Sequence, residues 1–298
     1  TSVKLGASAV LATGITLASR FDLAISAALA GLSQTENVFT LSVPKFAALL
    51  EIIGEWAPSL LAATSVLIVG QESAKQCSDR ENTLKCASFV PATALMAYAT
   101  SKTMEYMHYN LSGALSAAMI AGIAFAISAI LYMLIGKIPD DLRKKLFLPA
   151  AYTLAASFCV MTTVCAIKTL WGRVRLRELV DMNSLSKFTP WYHPNFFSGS
   201  HSFPSGHTQN IAGTFGAIGA TSKRRWFSIV CIAIIILVAI SRMYLGVHTP
   251  YDVCASLLIA AAMLAILHPV FSSEKNFHKY MPIVSVVSIL LSIGLLLY

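Results

Sequence analysis

Residues 226–268 read WFSIVCIAIIILVAISRMYLGVHTPYDVCASLLIAAAMLAILH. Two apolar runs, 226–241 and 250–268, flank a short connection that contains Arg242 and His248, and Asp252 lies at the start of the second run. A helix needs about 20 mostly apolar residues to cross a membrane. A membrane-spanning strand would instead alternate apolar and polar residues, and no such alternation is present. This stretch therefore predicts two membrane helices joined by a connection that carries ionisable side chains.

The remainder of the chain has the same character. Of its 298 residues 56% are hydrophobic and only 12% are charged, which is too apolar for an ordinary soluble domain. Nine hydrophobic segments follow one another along the chain, at 3–19, 46–70, 87–104, 111–135, 146–170, 206–222, 226–241, 250–268 and 280–298. Residues 21–32 are expected to form a short helix at the membrane interface. The expected fold is an all-α, polytopic transmembrane helical bundle.

The basic residues of the connections alternate between the two sides of this bundle. The formal net charge is +8, and most of the positive charge falls on every second connection. By the positive-inside rule those connections are cytoplasmic, with the N-terminus inside and the C-terminus outside. No stretch interleaves aromatic and basic residues, so nucleic acid is not an expected partner. The outer connection 171–205 breaks the trend with Arg173, Arg175 and Arg177, and a bound anion would account for this excess.

Three stretches at outer helix ends carry groups that bind phosphate. Lys168 and Arg175 lie in the first and Arg242 in the third, and guanidinium and ammonium groups match phosphate oxygens. In the second, Ser205 and Gly206 follow a proline that can begin a helix. Backbone N–H groups there would lie at the positive end of the helix, and glycine allows a ligand to approach closely. The pattern predicts a phosphate cradle.

Two histidines supply the chemistry. His248 precedes Asp252 by four residues, so a carboxylate could hold one ring nitrogen and leave the other for attack. His207 lies beside the cradle and could protonate a departing alkoxide. Together these groups predict phosphoryl transfer through a phosphohistidine. No metal or other cofactor is expected, since there is no acidic cluster to hold magnesium.

The three stretches resemble the type 2 phosphatidic acid phosphatase (PAP2) superfamily, whose pattern is K-x6-RP, PSGH and SR-x5-H-x3-D. The matching residues are Lys168 and Arg175, then Pro204 to His207, then Ser241, Arg242, His248 and Asp252. The resemblance implies a helical bundle with an extracytoplasmic or luminal active site. It implies His248 as nucleophile, Asp252 as its orienting partner and His207 as general acid. The phosphate-binding residues would be Lys168, Arg175, Ser205, Gly206 and Arg242.

The resemblance divides the chain into three parts. Residues 146–268 would form the PAP2-like catalytic core, residues 1–145 would be N-terminal transmembrane helices of unassigned role, and residues 269–298 a C-terminal transmembrane helix. Leu176 stands where the family has proline, which predicts altered loop geometry more than lost activity. Two interpretations of Arg173 and Arg177 remain open: they contact a second phosphate, or they are solvated loop residues. His201 is a further accessory candidate.

The expected function is a metal-independent membrane phosphatase acting on a lipid phosphate or diphosphate. Phosphatidate, phosphatidylglycerophosphate, isoprenyl diphosphates and lipid A phosphates all fit an outer interfacial site, and the expected location is a bacterial inner or plasma membrane. The partners would be the lipid substrate and the bilayer, with the oligomeric state open. The alternatives are a lipid-linked phosphotransferase, a transporter, or a non-catalytic scaffold. A transporter is disfavoured because the charges gather at one face instead of the membrane midplane.

Overall fold

The computed structural model describes residue 13 and residues 21–35, 38–75, 81–107, 113–196 and 198–296. Its elements are helical residues 21–29 (α1), strands Ser33–Thr35 (β1) and Val38–Thr40 (β2), and helices Lys45–Lys75 (α2), Glu81–Tyr106 (α3), Gly113–Gly136 (α4), Asp140–Trp171 (α5), Leu176–Asp181 (α6), a 3-10 turn Leu185–Lys187, Gly206–Thr221 (α7), Arg225–Tyr244 (α8), Pro250–Leu267 (α9) and Glu274–Leu296 (α10). The described chain is therefore a helical bundle with one small hairpin.

Five of the described helices are long and apolar enough to cross a membrane, which indicates a multi-pass membrane protein. They are Lys45–Lys75, Gly113–Gly136, Asp140–Asp181 (α5 counted together with α6), Arg225–Tyr244 and Pro250–Leu267. Predicted segments 87–104, 206–222 and 280–298 are also helical, as α3, α7 and α10, although none of these helices meets the combined criteria of length, hydropathy and charge. The predicted segment 3–19 lies outside the described residues except for residue 13. The all-α polytopic prediction is confirmed.

Helix α2 lies at the centre of the bundle, where it packs against α3, α5, α7 and α8. Helix α7 in turn packs against α5, α8 and α9. Small residues allow these close crossings: a Cβ added at Gly213 of α7 would lie 3.0 Å from Cγ2 of Val160 on α5. Without water to drive helix association in a membrane, such close backbone packing supplies much of the attraction. The N-terminal helices therefore form part of the same packed body as α5–α9.

The two ends of the bundle contain different parts of the chain. One end contains the start of α5, where Arg143 is buried, with its Nε 3.2 Å from Glu72 Oε2 of α2 and its Nη2 2.6 Å from Asp140 Oδ1. Lys144, Lys145 and the start of α8 lie at the same end. The end of α5, the start of α7 and the connection between α8 and α9 all lie at the other end. The three predicted site stretches are thus brought to one end.

The short N-terminal elements pack at the site end. The predicted interfacial helix is present as α1, and β1 pairs antiparallel with β2 directly after it. Ala30, Leu176 and Val180 form one buried apolar cluster, so the α1–β1 turn covers α6. Leu176, which replaces the family's proline, is fully buried as the first residue of α6. Its side chain therefore anchors the loop that contains the adjacent Arg175.

Candidate active site

The residues of the predicted phosphate cradle lie at the start of α7. Ser205 is the N-cap residue, and its hydroxyl accepts a hydrogen bond from the Thr208 N–H at 3.5 Å and shares one with Thr208 Oγ1 at 2.9 Å. The first-turn N–H groups point out of the helix, where its dipole favours an anion. A Cβ added at Gly206 would lie 3.5 Å from Cε and 3.9 Å from Nζ of Lys168. The lysine thus packs directly against the cradle.

Some hydrogen-bond donors of the cationic side chains at the site have no hydrogen-bond partner among the described residues. Arg242, at the end of α8, is only 3% exposed, and its Nη2 donates to Glu51 Oε1 at 2.9 Å. Its Nε and Nη1 atoms are buried without a hydrogen-bond partner among the described residues, as is Nε of Arg175. Lys168 Nζ donates to the carbonyl oxygen of His201 at 2.7 Å. Arg175 Nε lies 3.8 Å from Glu178 Oε1, too far for a hydrogen bond, so both arginines retain donors that could bind a further acceptor.

His248 and Asp252 lie on the connection between α8 and α9 and on the first turn of α9. His248 Nδ1 is 3.5 Å from Asp252 Oδ2, within ion-pair range but long for a hydrogen bond. Thr249 fixes the carboxylate as partner in a capping box: its N–H donates to Asp252 Oδ2 at 3.0 Å. Ser202 Oγ donates to the same oxygen at 2.6 Å. With Nδ1 facing the carboxylate, Nε2 is the ring nitrogen that remains for attack on a ligand.

The protonation of His248 suits a nucleophile. Its side chain is 3% exposed, and this burial lowers the pKa of His248 to about 3. Asp252 opposes the shift, whereas the positive charges of Lys168 and Arg242 reinforce it. The imidazole is therefore neutral near pH 7, with a lone pair available on Nε2.

Arg173 occupies a position that neither sequence interpretation describes. Its side chain is 1% exposed, so it is not a solvated loop residue. Nη1 donates to Asp252 Oδ1 at 2.7 Å, and Nη2 donates to Asp22 Oδ2 at 2.6 Å. Nη1 also donates to Thr249 Oγ1 at 2.8 Å, and Nε to the Thr189 carbonyl at 3.0 Å. These donors are committed to the protein, and the guanidinium holds Asp252 from the side opposite His248.

The two other accessory candidates lie at the edge of the site. Arg177 donates from Nη2 to the Leu245 carbonyl at 2.8 Å, and its backbone N–H donates to the Gly246 carbonyl at 2.8 Å. It therefore braces the connection that carries His248. His201 is exposed, with its ring Nδ1 3.5 Å from the Lys168 carbonyl. Its backbone, which accepts from Lys168, is the part that contributes to the cradle.

Besides Ser202 and Thr249, four residues at the site were not found from the sequence, and these four come from the N-terminal helices. Asp22 binds Arg173, and Glu51 binds Arg242. Glu55 Oε1 lies 3.1 Å from His207 Nε2, and the Tyr106 hydroxyl lies 3.3 Å from the same nitrogen. A signal was present for the glutamates: Glu51 and Glu55 are four residues apart in an apolar segment, where charges are costly unless they are paired.

The site thus brings together every residue that the three stretches supplied. One histidine is oriented by a fixed carboxylate, a second lies beside the helix N-terminus, and three cations surround them. This set can bind a tetrahedral oxyanion, attack it and protonate a leaving oxygen. Within the described residues, no group of three or more His, Cys, Asp or Glu side chains is placed to hold a metal ion.

Comparison with known proteins points the same way. The model of the PAP2 superfamily matches residues 146–275. Phosphatidylglycerophosphatase B of Bacillus subtilis (strain 168) is 27% identical over 119 residues, which cover 37% of this chain and 59% of that protein. The chain thus spans less than two thirds of the length of this relative. No solved structure gives a significant match. Residues 146–275, which contain the predicted cradle, both histidines and the three cations, are therefore the part of the chain that is similar to the PAP2 superfamily.

Proposed function

We propose that this protein is a membrane phosphatase that removes the phosphate from a lipid through a covalent phosphohistidine. The observation that carries the proposal is the placement of His248. Its Nδ1 faces a carboxylate fixed by Ser202, Thr249 and Arg173, and its neutral ring lies among cations with unpaired buried donors. A nucleophile oriented by a third group beside an oxyanion site is the arrangement that covalent phosphoryl transfer needs.

The proposed reaction has two steps. In the first, Nε2 of His248 attacks phosphorus, the phosphorus–oxygen bond to the lipid breaks, and the leaving oxygen takes a proton from His207. Lys168, Arg175 and Arg242 stabilise the charge on the remaining oxygens, with the first N–H groups of α7. In the second, water attacks the phosphohistidine and gives a proton back to His207. The phosphorus–nitrogen bond then breaks, which releases phosphate and restores the neutral imidazole.

The lipid character of the substrate is supported by the surroundings of the site. Trp191 stacks on Tyr251 with ring centroids 4.3 Å apart, and Trp171 lies 5.0 Å from Phe203. Clustered tryptophan and tyrosine rings are typical of the headgroup level of a bilayer. A phosphate bound at this end of the bundle leaves the attached tail beside the apolar helices. A lipid phosphate fits this geometry better than a soluble ester.

Among lipids, the geometry favours a monophosphate ester over a diphosphate. The excess positive charge of the loop suggested a second phosphate site, but Arg173 donates to two carboxylates and Arg177 to a backbone carbonyl. The donors left over belong to Arg175 and Arg242, beside the cradle. Phosphatidylglycerophosphate and phosphatidate are therefore the first substrates to test, ahead of isoprenyl diphosphates and lipid A phosphates.

The site is proposed to face away from the cytoplasm. Basic residues at the start of α5 and α8 lie at the opposite end of the bundle, and the positive-inside rule assigns that end to the cytoplasm. Single cysteines at Ser73 and at Lys187 would report the two ends. A membrane-impermeant thiol reagent applied to intact cells is expected to label the second position only. Labelling of Ser73→Cys alone would reverse the orientation.

The function is tested by phosphate release from purified protein in detergent with EDTA present. The panel contains phosphatidylglycerophosphate, phosphatidate and a prenyl diphosphate, each assayed also with His248→Ala. Release from at least one lipid is expected to survive EDTA and to vanish in the variant. Activity that the variant retains would exclude His248 as the nucleophile. If the wild-type protein releases no phosphate from any of these lipids, the proposed substrate class is contradicted.

A further inference from the structure

His207 is enclosed by a carboxylate and a phenol that come from outside residues 146–275, the part that is similar to the PAP2 superfamily. Glu55 Oε1 of α2 lies 3.1 Å from His207 Nε2. The hydroxyl of Tyr106, at the end of α3, donates to Glu55 Oε1 at 3.1 Å and lies 3.3 Å from His207 Nε2. The three groups form a triangle in which Glu55 can accept from both neighbours. The side chains of Glu55 and His207 are only 8% and 12% exposed.

The packing of α2 and α3 builds this triangle. Gly54 brings α2 against α7: a Cβ added there would lie 3.1 Å from Cδ2 of His207. Trp56 Nε1 donates to Thr103 Oγ1 at 2.5 Å and so ties α2 to α3 beside the triangle. Any longer side chain at position 54 would push the imidazole away from its present place. The position of His207 is thus set by helices that lack the family's motifs.

The charges around His207 explain why an acid here needs a carboxylate. The groups that face it are Arg242 of α8, Lys168 of α5, Arg175 and His248 of the connecting loops, Glu51 and Glu55 of α2, and Tyr106 of α3, with Lys102 of α3 near Glu55. The cations repel the proton that a general acid must hold. Glu51 is already paired with Arg242, which leaves Glu55 as the carboxylate in contact with the imidazole.

We propose that Glu55, held in place by Tyr106, is a positioning residue that orients His207 and favours its protonated form for phosphoryl transfer. The proposal rests on the proposed function, because it assigns His207 as the acid of that reaction. Glu55 accepts the Nε2–H bond, so Nδ1 is the nitrogen that gives its proton to the leaving oxygen. Water returns a proton to Nδ1 in the second step. Residues 1–145 thereby contribute to catalysis as well as to membrane anchoring.

The test compares two leaving groups in one enzyme. A lipid alkoxide needs a proton to depart, whereas p-nitrophenolate from p-nitrophenyl phosphate does not. Glu55→Gln is expected to reduce kcat/KM on the lipid phosphate about tenfold to hundredfold, a part of what general acid catalysis supplies. It is expected to change kcat/KM on p-nitrophenyl phosphate by less than about threefold, because a leaving group of low pKa gains little from a general acid. Equal loss on both substrates would mean that Glu55 is only structural.

Three further variants separate the possible failures. Glu72→Gln removes a half-buried carboxylate from the other end of α2, where it pairs with Arg143, and should leave the ratio of the two activities unchanged. His207→Asn should show the same leaving-group selectivity as Glu55→Gln. If His207→Asn shows none, the acid assignment in the proposed function is wrong. If His207→Asn shows this selectivity and Glu55→Gln does not, the present proposal is wrong.

Tyr106→Phe should show the same leaving-group selectivity as Glu55→Gln but a smaller loss of activity. An equal loss on both substrates would exclude a role of Tyr106 in holding Glu55.

The pH profile supplies an independent readout. In Glu55→Gln the imidazolium loses the anion that stabilises it, so the alkaline limb of kcat/KM on the lipid phosphate should move to lower pH. The limb on p-nitrophenyl phosphate should stay in place. An unchanged alkaline limb on the lipid would contradict the proposal even if activity fell.

Discussion

Replacing Arg173 with methionine is expected to destabilise this protein more than any other single change in the loop before α6. The guanidinium is 1% exposed and binds Asp22 and Asp252, whose side chains are 5% and 0% exposed. With both carboxylates ionised, the three-residue cluster carries a net charge of −1. The substitution keeps the volume but leaves two buried negative charges without a cation.

The magnitude follows from this geometry. Removing one partner of a buried ion pair costs about 3–5 kcal/mol, because the remaining charge is left uncompensated. A loss of 1 kcal/mol lowers Tm by roughly 2–4 °C in domains of 150–250 residues, so Tm should fall by about 6–20 °C. Burial raises the pKa of Asp22, so this carboxyl takes up a proton more readily than usual. The drop should therefore be larger at about pH 8 than at about pH 6.

The assay is thermal unfolding of the detergent-solubilised protein, followed by the fraction that remains monodisperse after heating. Arg177→Met is the matched control, because this half-buried arginine donates to a carbonyl instead of a carboxylate and should cost less. Adding Asp22→Asn to Arg173→Met should recover part of the loss by removing one unpaired charge. An Arg173→Met protein that melts within about 2 °C of wild type would refute the reasoning, since a buried pair cannot be that weak when broken.

Three other changes probe the same end of the bundle. Asp22→Asn alone should lower Tm less than Arg173→Met does. Because burial raises the folded-state pKa of Asp22, protonation of this carboxyl stabilises the protein at low pH, and that stability is lost as the pH rises through the raised pKa. The Tm of Asp22→Asn should therefore vary less with pH above the ordinary aspartate range. Because burial lowers the pKa of His248 to about 3, kcat/KM corrected for ionisation of the substrate should show no acid limb near 6.5, and a limb there would contradict a neutral nucleophile. Gly172→Ala should reduce both Tm and activity, since φ is +62° and the added Cβ would lie 1.8 Å from the Asn195 carbonyl oxygen; unchanged melting would show that the loop adapts.

The helical fold and the motif residues could be predicted from the sequence because both depend on local patterns. Long apolar runs predict membrane helices without any knowledge of their partners, and α2, α4, α5, α8 and α9 lie where they were expected. The spacing of His248 and Asp252 predicted that the two side chains meet, and the structure has His248 just before the N-cap Thr249 and Asp252 in the first turn of α9. The small hairpin of β1 and β2 was not predicted, since three-residue strands leave almost no periodic signal.

The rest of the site depends on which helices pack together, and that is not a local property. Arg173 was interpreted from its place in a charged loop, whereas its position is set by Asp22 in a helix about 150 residues away. Glu55 and Tyr106 follow no motif and reach His207 only because α2 and α3 pack beside α7. Charged residues inside apolar segments are the one sequence signal that indicates such contacts before the packing is known.

The central claim is that phosphate passes through His248, and trapping the intermediate tests it most directly. Purified protein would be mixed with a lipid phosphate labelled with ³²P, quenched in alkali within the first turnover, digested and mapped by mass spectrometry. The account predicts an acid-labile, alkali-stable phosphoryl group on His248, formed with EDTA present and absent from His248→Ala. Product formed in the first turnover without label on the protein, or label on any other residue, would contradict it.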